Sequence, residues 1–352
     1  MYIRATGNIS AQKTYGEVPF LTEPVAYTGT RLNCIEPDYK DIIDPKMIRR
    51  MSRIIKMGVA AATECLKQSG IQVPDAIITG TAYGCLQDTD VFLTKMVEQN
   101  EELLTPTAFI QSTHNTIGAQ IGLLLKSNRY NNAFVHRGFS FESALLDGIM
   151  LMMENEASNF LVGAIDEITD TSYTIMKRFG LYKRESLSNM NLYNPTSRGT
   201  IAGEGATFFL IAKEPSGNDH AKLDAISSFY KPKDSSETEQ QITDFLKSHS
   251  LSIRDIDLVI TGRNGDTKDD RVYDNLERSV FKNSELAGYK HLCGEYPTST
   301  AFALWLAANI LKTSVVPGAL GIDRKATSSL KKILIYNHYR DIHHSLLLLS
   351  AC

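Results

Sequence analysis

Apolar positions along the chain follow two alternating rhythms: short continuous runs, and longer runs spaced three and four apart. Asn131 to Glu167 shows both. Asn132–Val135 is a short extended run. His136-Arg137-Gly138-Phe139-Ser140 is a turn with one glycine and a helix-starting serine. Phe141–Met153 then sets Phe141, Ala144, Leu145, Gly148, Ile149 and Met152 on one helical face. Phe160–Ala164 is a continuous apolar run that suits a buried parallel strand. A sharp strand-to-helix turn is where many enzymes expose a nucleophile at the positive end of a helix. This turn holds no cysteine.

The same reading extends both ways. Tyr2–Ile9 predicts a first strand. One long helix is predicted from Pro45, capped by Asp44 and closed by Gly70. Its buried side runs from Met47 to Leu66. Its other side carries Arg49, Arg50, Arg53 and Lys56, which form either a solvated face or a dock for an acidic partner. Ala76–Gly80 predicts a strand and Gln87–Gln99 a helix. The intervening GTAYG lacks the third glycine of a dinucleotide fingerprint. His114 is read as a capping or packing residue. Residues 165 to 200 read as polar and loop-rich. After a break at Pro215–Asp219 the pattern restarts: strand Ala225–Tyr230, helix Ser236–Ser248 capped by Ser235 or Ser236, strand Ile256–Ile260, a glycine-bearing turn at 262–266, helix Ser299–Leu311, and strands Lys332–Tyr336 and Ser345–Ser350. Two rounds of alternating strand and helix predict an α/β fold with mostly parallel sheets, divided into residues 1–214 and 215–352.

Composition narrows the function. A net charge of -3 argues against a nucleic-acid binder held by phosphates. No apolar run approaches the length that spans a bilayer, and MYIRATGNIS has no signal-peptide pattern. The five cysteines are scattered without a CxxC, which predicts reduced thiols in a cytoplasmic protein with no metal site and no cofactor.

In order and spacing, the chain resembles a β-ketoacyl synthase of the thiolase fold along nearly its whole length. The carriers of the resemblance are KMIRRMSRIIKMGVAAATECLKQSGI, the turn at 132–153, AGEGAT at 202–207, LVITGRNGDT at 258–267, YKHLCGEYPTSTAFA at 289–303 and IYNHYRDIHHSLLLL at 335–349. It implies two similar βαβαβ halves, each with a mostly parallel five-stranded sheet, packed as αβαβα layers.

The resemblance also implies a cysteine that accepts an acyl chain from a carrier protein, and two histidines that stabilise the thioester oxygen and assist decarboxylation. The cysteine position falls on Gly138, the first histidine on Asn264 (Arg263 if the register slips by one) and the second on Glu295. The family's lysine is kept as Lys290, and its glycine-rich closing loop becomes His338-Tyr339-Arg340-Asp341-Ile342. Glycine cannot be acylated. Asn264 retains a donor for an acyl oxygen, whereas an ionised Glu295 repels a developing oxyanion unless it pairs with Lys290, His136 or Arg137.

Other nucleophiles are weak candidates. Ser140 is better placed as a cap. Cys293 alone reads as a small buried residue, with only His291 as a nearby base. The adjacent His343 and His344 face opposite ways in a strand and do not chelate one metal together. His136 and Arg137 are candidates for a carboxylate or a phosphopantetheine phosphate, or for pairing with Glu142 or Glu295.

The resulting expectation is a silent ketosynthase-like subunit of the chain-length-factor type, as in polyketide, aryl-polyene and flexirubin-like pathways. Its partners would be an active ketosynthase in a heterodimer, or a second copy in a homodimer, and an acyl carrier protein, with no nucleic acid and no membrane. Two alternatives stand beside it: an acyltransferase or malonyl-carrier decarboxylase of altered chemistry, and a carrier-binding homodimer without catalysis.

Overall fold

The computed structural model describes residues 1–102, 104–194, 197–322 and 330–352. Its strands are β1 (Tyr2–Ile9), β2 (Thr28–Gly29), β3 (Ala76–Gly80), β4 (Tyr130–Phe134), β5 (Asn159–Asp166), β6 (Leu187–Ser188), β7 (Gly205–Ala212), β8 (Ala221–Tyr230), β9 (Leu258–Thr261), β10 (Leu286–Gly288), β11 (Lys332–Tyr339) and β12 (His343–Ser350). β2 and β6 make a small ribbon. The other ten form one sheet in the order β10-β9-β11-β12-β8-β1-β7-β5-β3-β4.

That order contains the same topology twice. Moving outward from the centre, each half places its first, fifth, fourth, second and third strands. β7 runs antiparallel to β1 and β5, and β12 antiparallel to β8 and β11, while the outer strands pair in parallel. Within each half, then, only one strand opposes the rest. The two expected five-stranded sheets are hydrogen-bonded into one where β1 meets β8, at Tyr2↔Lys222 and Ile3↔Ala221.

Apolar faces set the layers. Helix Arg53–Ser69 buries Ile54, Val59 and Leu66 with Ala5, Phe208 and Leu210 of the N-terminal strands. Helices Ser235–Ser248 and Arg271–Arg278 bury Ile242, Phe245 and Leu276 with Tyr336 and Leu348 of the C-terminal strands. Helices Ser140–Met153 and Thr300–Thr313 share a third cluster, in which Phe141 and Phe302 join Val162 of one half and Ile335 and Leu347 of the other. Helix Arg53–Ser69 lies close against β1 at Gly7, where a Cβ would lie 2.0 Å from the Ala61 carbonyl oxygen.

Several sequence expectations shift. The helix predicted from Pro45 to Gly70 is two, Pro45–Ile48 and Arg53–Ser69. Both predicted end signals operate: Asp44 accepts from the Lys46 amide, and Gly70 is left-handed at φ 72. The chain breaks at 49–52, where Met51 is buried and an extended Ser52 restarts the helix. Asp234, rather than Ser235 or Ser236, caps helix Ser235–Ser248. The stretch read as loop-rich holds helix Asp170–Arg178, closed by a capping box between Thr169 and Ser172. Strand Leu286–Gly288 is too short to show in the pattern.

Candidate functional site

β4 ends at Phe134, and the chain turns into helix Ser140–Met153 within five residues. The turn is held from inside. Ser140 Oγ accepts from the His136 amide at 2.8 Å and donates to the Arg137 carbonyl at 2.8 Å. Both roles commit the hydroxyl to the backbone. The left-handed residue is Arg137, at φ 48, followed by a buried Gly138. Neither carries a thiol.

The space a nucleophile would need is filled. A Cβ on Gly138 would lie 2.7 Å from Tyr339 Cβ and 3.0 Å from His343 Cβ, closer than side chains pack. Those residues pair with each other across the β11–β12 hairpin. Its turn, Tyr339 to Ile342, is closed by the Ile342 amide on the Tyr339 carbonyl at 3.2 Å, with Arg340 and Asp341 left-handed at φ 59 and 53. The replaced glycine loop has thus become a hairpin tip packed into the elbow. The His343 ring meets Phe139 edge-on at 4.7 Å between centroids.

The second and third expected positions meet in a closed polar network. Lys290 Nζ donates to both Glu295 oxygens at 2.7 Å, and Asn264 Nδ2 donates to Glu295 Oε2 at 2.8 Å. All three residues are buried. Burial pushes the Glu295 carboxyl up, against the pull of the Lys290 ammonium and the two hydrogen bonds. Asn264 Oδ1 is also used, accepting from the Asp266 amide at 2.9 Å. Asn264 was expected to offer a donor to an acyl oxygen; its amide instead serves Glu295. Arg263 points elsewhere, to Asp274 and Glu277 at 2.7 and 2.8 Å.

The remaining candidates are separated from this chemistry. Burial pushes the Cys293 thiol far up. His291, its only nearby base, has both ring nitrogens occupied, by Tyr193 at 3.0 Å and the Ala319 carbonyl at 2.9 Å, and burial lowers it to about 4. His136 and Arg137 are exposed and pair with neither Glu142 nor Glu295. Glu142 is fully buried. The Thr300 and Ser345 hydroxyls lie beside it, yet neither carboxyl oxygen has a partner of hydrogen-bond geometry, and burial pushes it up to about 7. His344 faces away from His343, stacking on Phe229 at 4.8 Å. Among the described residues no group of three or more His, Cys, Asp or Glu could hold a metal ion, and no helix is long and apolar enough to cross a membrane.

Of the basic face, Arg49 and Arg50 are exposed in the helix break and Lys56 is half-buried. Arg53 differs. It grips Glu204 of the AGEGAT motif through two nitrogens, at 2.7 and 2.5 Å, and Glu36 through a third at 2.6 Å. Glu204 also accepts from the Cys34 and Ile168 amides. The motif that most resembled the family is therefore a bracket tying distant segments together, and Arg53 is its cation rather than a free docking charge.

What is left of a cavity above Glu295 measures about 80 Å³ and is lined by Tyr83, Tyr182, Tyr296 and Tyr339 with Asp166 and Glu295. That is room for a few water molecules. Asp166 closes its floor, accepting from Thr81 and Ala82 on one side and Thr298 on the other. Asp166 was not singled out by sequence, and Tyr339, His343 and Glu142 were named for other roles: the closing loop, a histidine pair that does not chelate, and a partner for His136 or Arg137. The one available signal was the bulk of HYRDI where glycines were expected.

The fold is thiolase-like, and the turn from β4 into helix Ser140–Met153 is packed shut by the β11–β12 hairpin. Residues 33–189 match the family model described as the beta-ketoacyl synthase, N-terminal domain, and the whole chain carries the ketosynthase fold. Similar solved structures include the ishigamide ketosynthase/chain length factor (TM-score 0.80, 15% identity, covering 100% of this chain and 98% of that one). Another is the ketosynthase ApeO in complex with its chain length factor ApeC from Xenorhabdus doucetiae (TM-score 0.77, 15% identity, 100% and 98%). A third is AntDE:AntF, a type II polyketide acyl-carrier protein in complex with its ketosynthase (TM-score 0.72, 14% identity, 100% and 99%). No curated protein matches the sequence.

Proposed function

We propose that this chain is a ketosynthase-like chain length factor: a non-catalytic partner of an active β-ketoacyl-carrier-protein synthase in a fatty acid or polyketide pathway of the aryl-polyene or flexirubin-like kind. The observation that carries the reading is the filled elbow, where Tyr339 and His343 occupy the volume next to Gly138. An enzyme that had merely lost its cysteine would keep the space for an acyl thioester. Here the space is packed, and the second-histidine position is neutralised by an internal ion pair.

The surface fits a partner subunit. β4 is an edge strand paired only with β3, leaving one row of backbone groups open. Around it Leu123, Val135, Met150 and Met153 are exposed, an apolar rim suited to burial against another chain. Arg49 and Arg50 are the proposed contacts for an acidic carrier protein. The test is co-expression with an active ketosynthase and carrier protein of the same pathway. The reading requires co-purification and a product length that changes with this chain. It fails if the proteins purify apart and product length is indifferent.

The reading of altered acyl-transfer chemistry requires an acyl adduct on Cys293 or Ser140. The first is buried as a neutral thiol and the second is bonded at both lone pair and proton to the turn.

A further inference from the structure

A second cleft lies away from the elbow and shares no residue with the cavity above Glu295. It measures about 650 Å³ and runs between β1, the segment 13–21, the connection 216–220 and the end of helix Thr300–Thr313. That size is ordinary for a small-molecule site. We propose that it binds a small organic anion that carries an apolar group.

Charge is the first argument. The lining holds Arg4, Lys13 and Lys312 against a single carboxylate, Glu64. Arg4 is already paired with Asp219 at 2.5 Å. Lys13 and Lys312 are exposed and have no ion-pair partner among the described residues.

Unpaired polar groups are the second. Asn8 and His220 are 1% and 6% exposed, and both belong to the cleft wall. Asn8 Oδ1 accepts from Thr207, but its Nδ2 has no partner, and neither has His220 Nδ1. Orphaned buried polar atoms are costly. An oxyanion with bound water would give both the partners they lack.

Part of the lining is aromatic. Trp305 and Phe20 meet edge-on at 5.5 Å between centroids, and both line the cleft. They suit a flat apolar body attached to the anion.

Trp305 is the only tryptophan in the chain, so its emission reports on the cleft. Phenyl phosphate and phenylacetate are titrated into the full chain, with inorganic phosphate and benzyl alcohol as charge-only and apolar-only controls. The expected result is saturable change with either aromatic anion and little with the controls. In Lys13→Ala/Lys312→Ala, whose exposed side chains leave the melting temperature unchanged, affinity falls at least tenfold. No saturation with either anion, equal affinity in the double variant, or equal binding of inorganic phosphate would overturn the proposal.

Discussion

Glu142 is a carboxyl with no solvent and no completed hydrogen bond, held at about 7 by burial. Below about 4.5 both folded and unfolded chains hold its proton, and it is neutral to stability. Between about 4.5 and 7 the unfolded chain ionises while the folded chain stays protonated, so its contribution to stability falls as pH rises. Above that it is constant. Glu142→Gln should therefore match the wild type in thermal melts near pH 4 and exceed it by up to about 3 kcal/mol near pH 8. Equal melts at both pH values would contradict the assignment. Gly138→Cys should fail in two ways. It should lose about 1–3 kcal/mol, because its Cβ collides with Tyr339 and His343, and it should gain no acyl adduct by intact mass.

Among the elements, the β11–β12 hairpin does the blocking, and its turn holds two left-handed residues without glycine. Asn-Gly is the pair this turn prefers. Arg340→Asn/Asp341→Gly should stabilise the chain by about 1 kcal/mol in denaturant melts and leave the elbow closed. Loss of stability instead would show that Arg340 or Asp341 makes contacts that outweigh the backbone. At the Glu204 bracket, Glu204→Gln leaves the half-buried Arg53 with Glu36 alone. It should cost about 3 kcal/mol. Long periodic segments such as 53–69 and 140–153 were legible in the sequence because an apolar face repeats at helical spacing. The break at 49–52 was not, since the stretch keeps helical composition and only the burial of Met51 decides it. Helix Asp170–Arg178 was hidden for another reason: it is nine residues long and buries none of them, so its apolar face is too short to stand out among polar neighbours.

At the scale of the whole molecule, the topology repeats but the core does not divide at residue 214. The central cluster joins Ile3 and Phe160 from one half to Leu258, Ile333 and Leu349 from the other. Calorimetry should show one cooperative transition; two resolved transitions would mean that the halves 1–214 and 215–352 fold apart. The sequence marked Gly138, Asn264 and Glu295 as candidates, because they stand at spaced positions whose residue types the resemblance specifies. It did not show what fills the site. Tyr339 and His343 lie some two hundred residues from Gly138, and only the strand pairing brings them there.

As proposed above, the scaffold takes no acyl group itself and acts on a partner that does. The most direct test is intact-mass analysis of the chain co-purified with an active ketosynthase, after incubation with acyl-loaded carrier protein. The expected result is a stable complex in which the ketosynthase gains the acyl mass and this chain does not. An acyl adduct on this chain, or no complex at all, would contradict it.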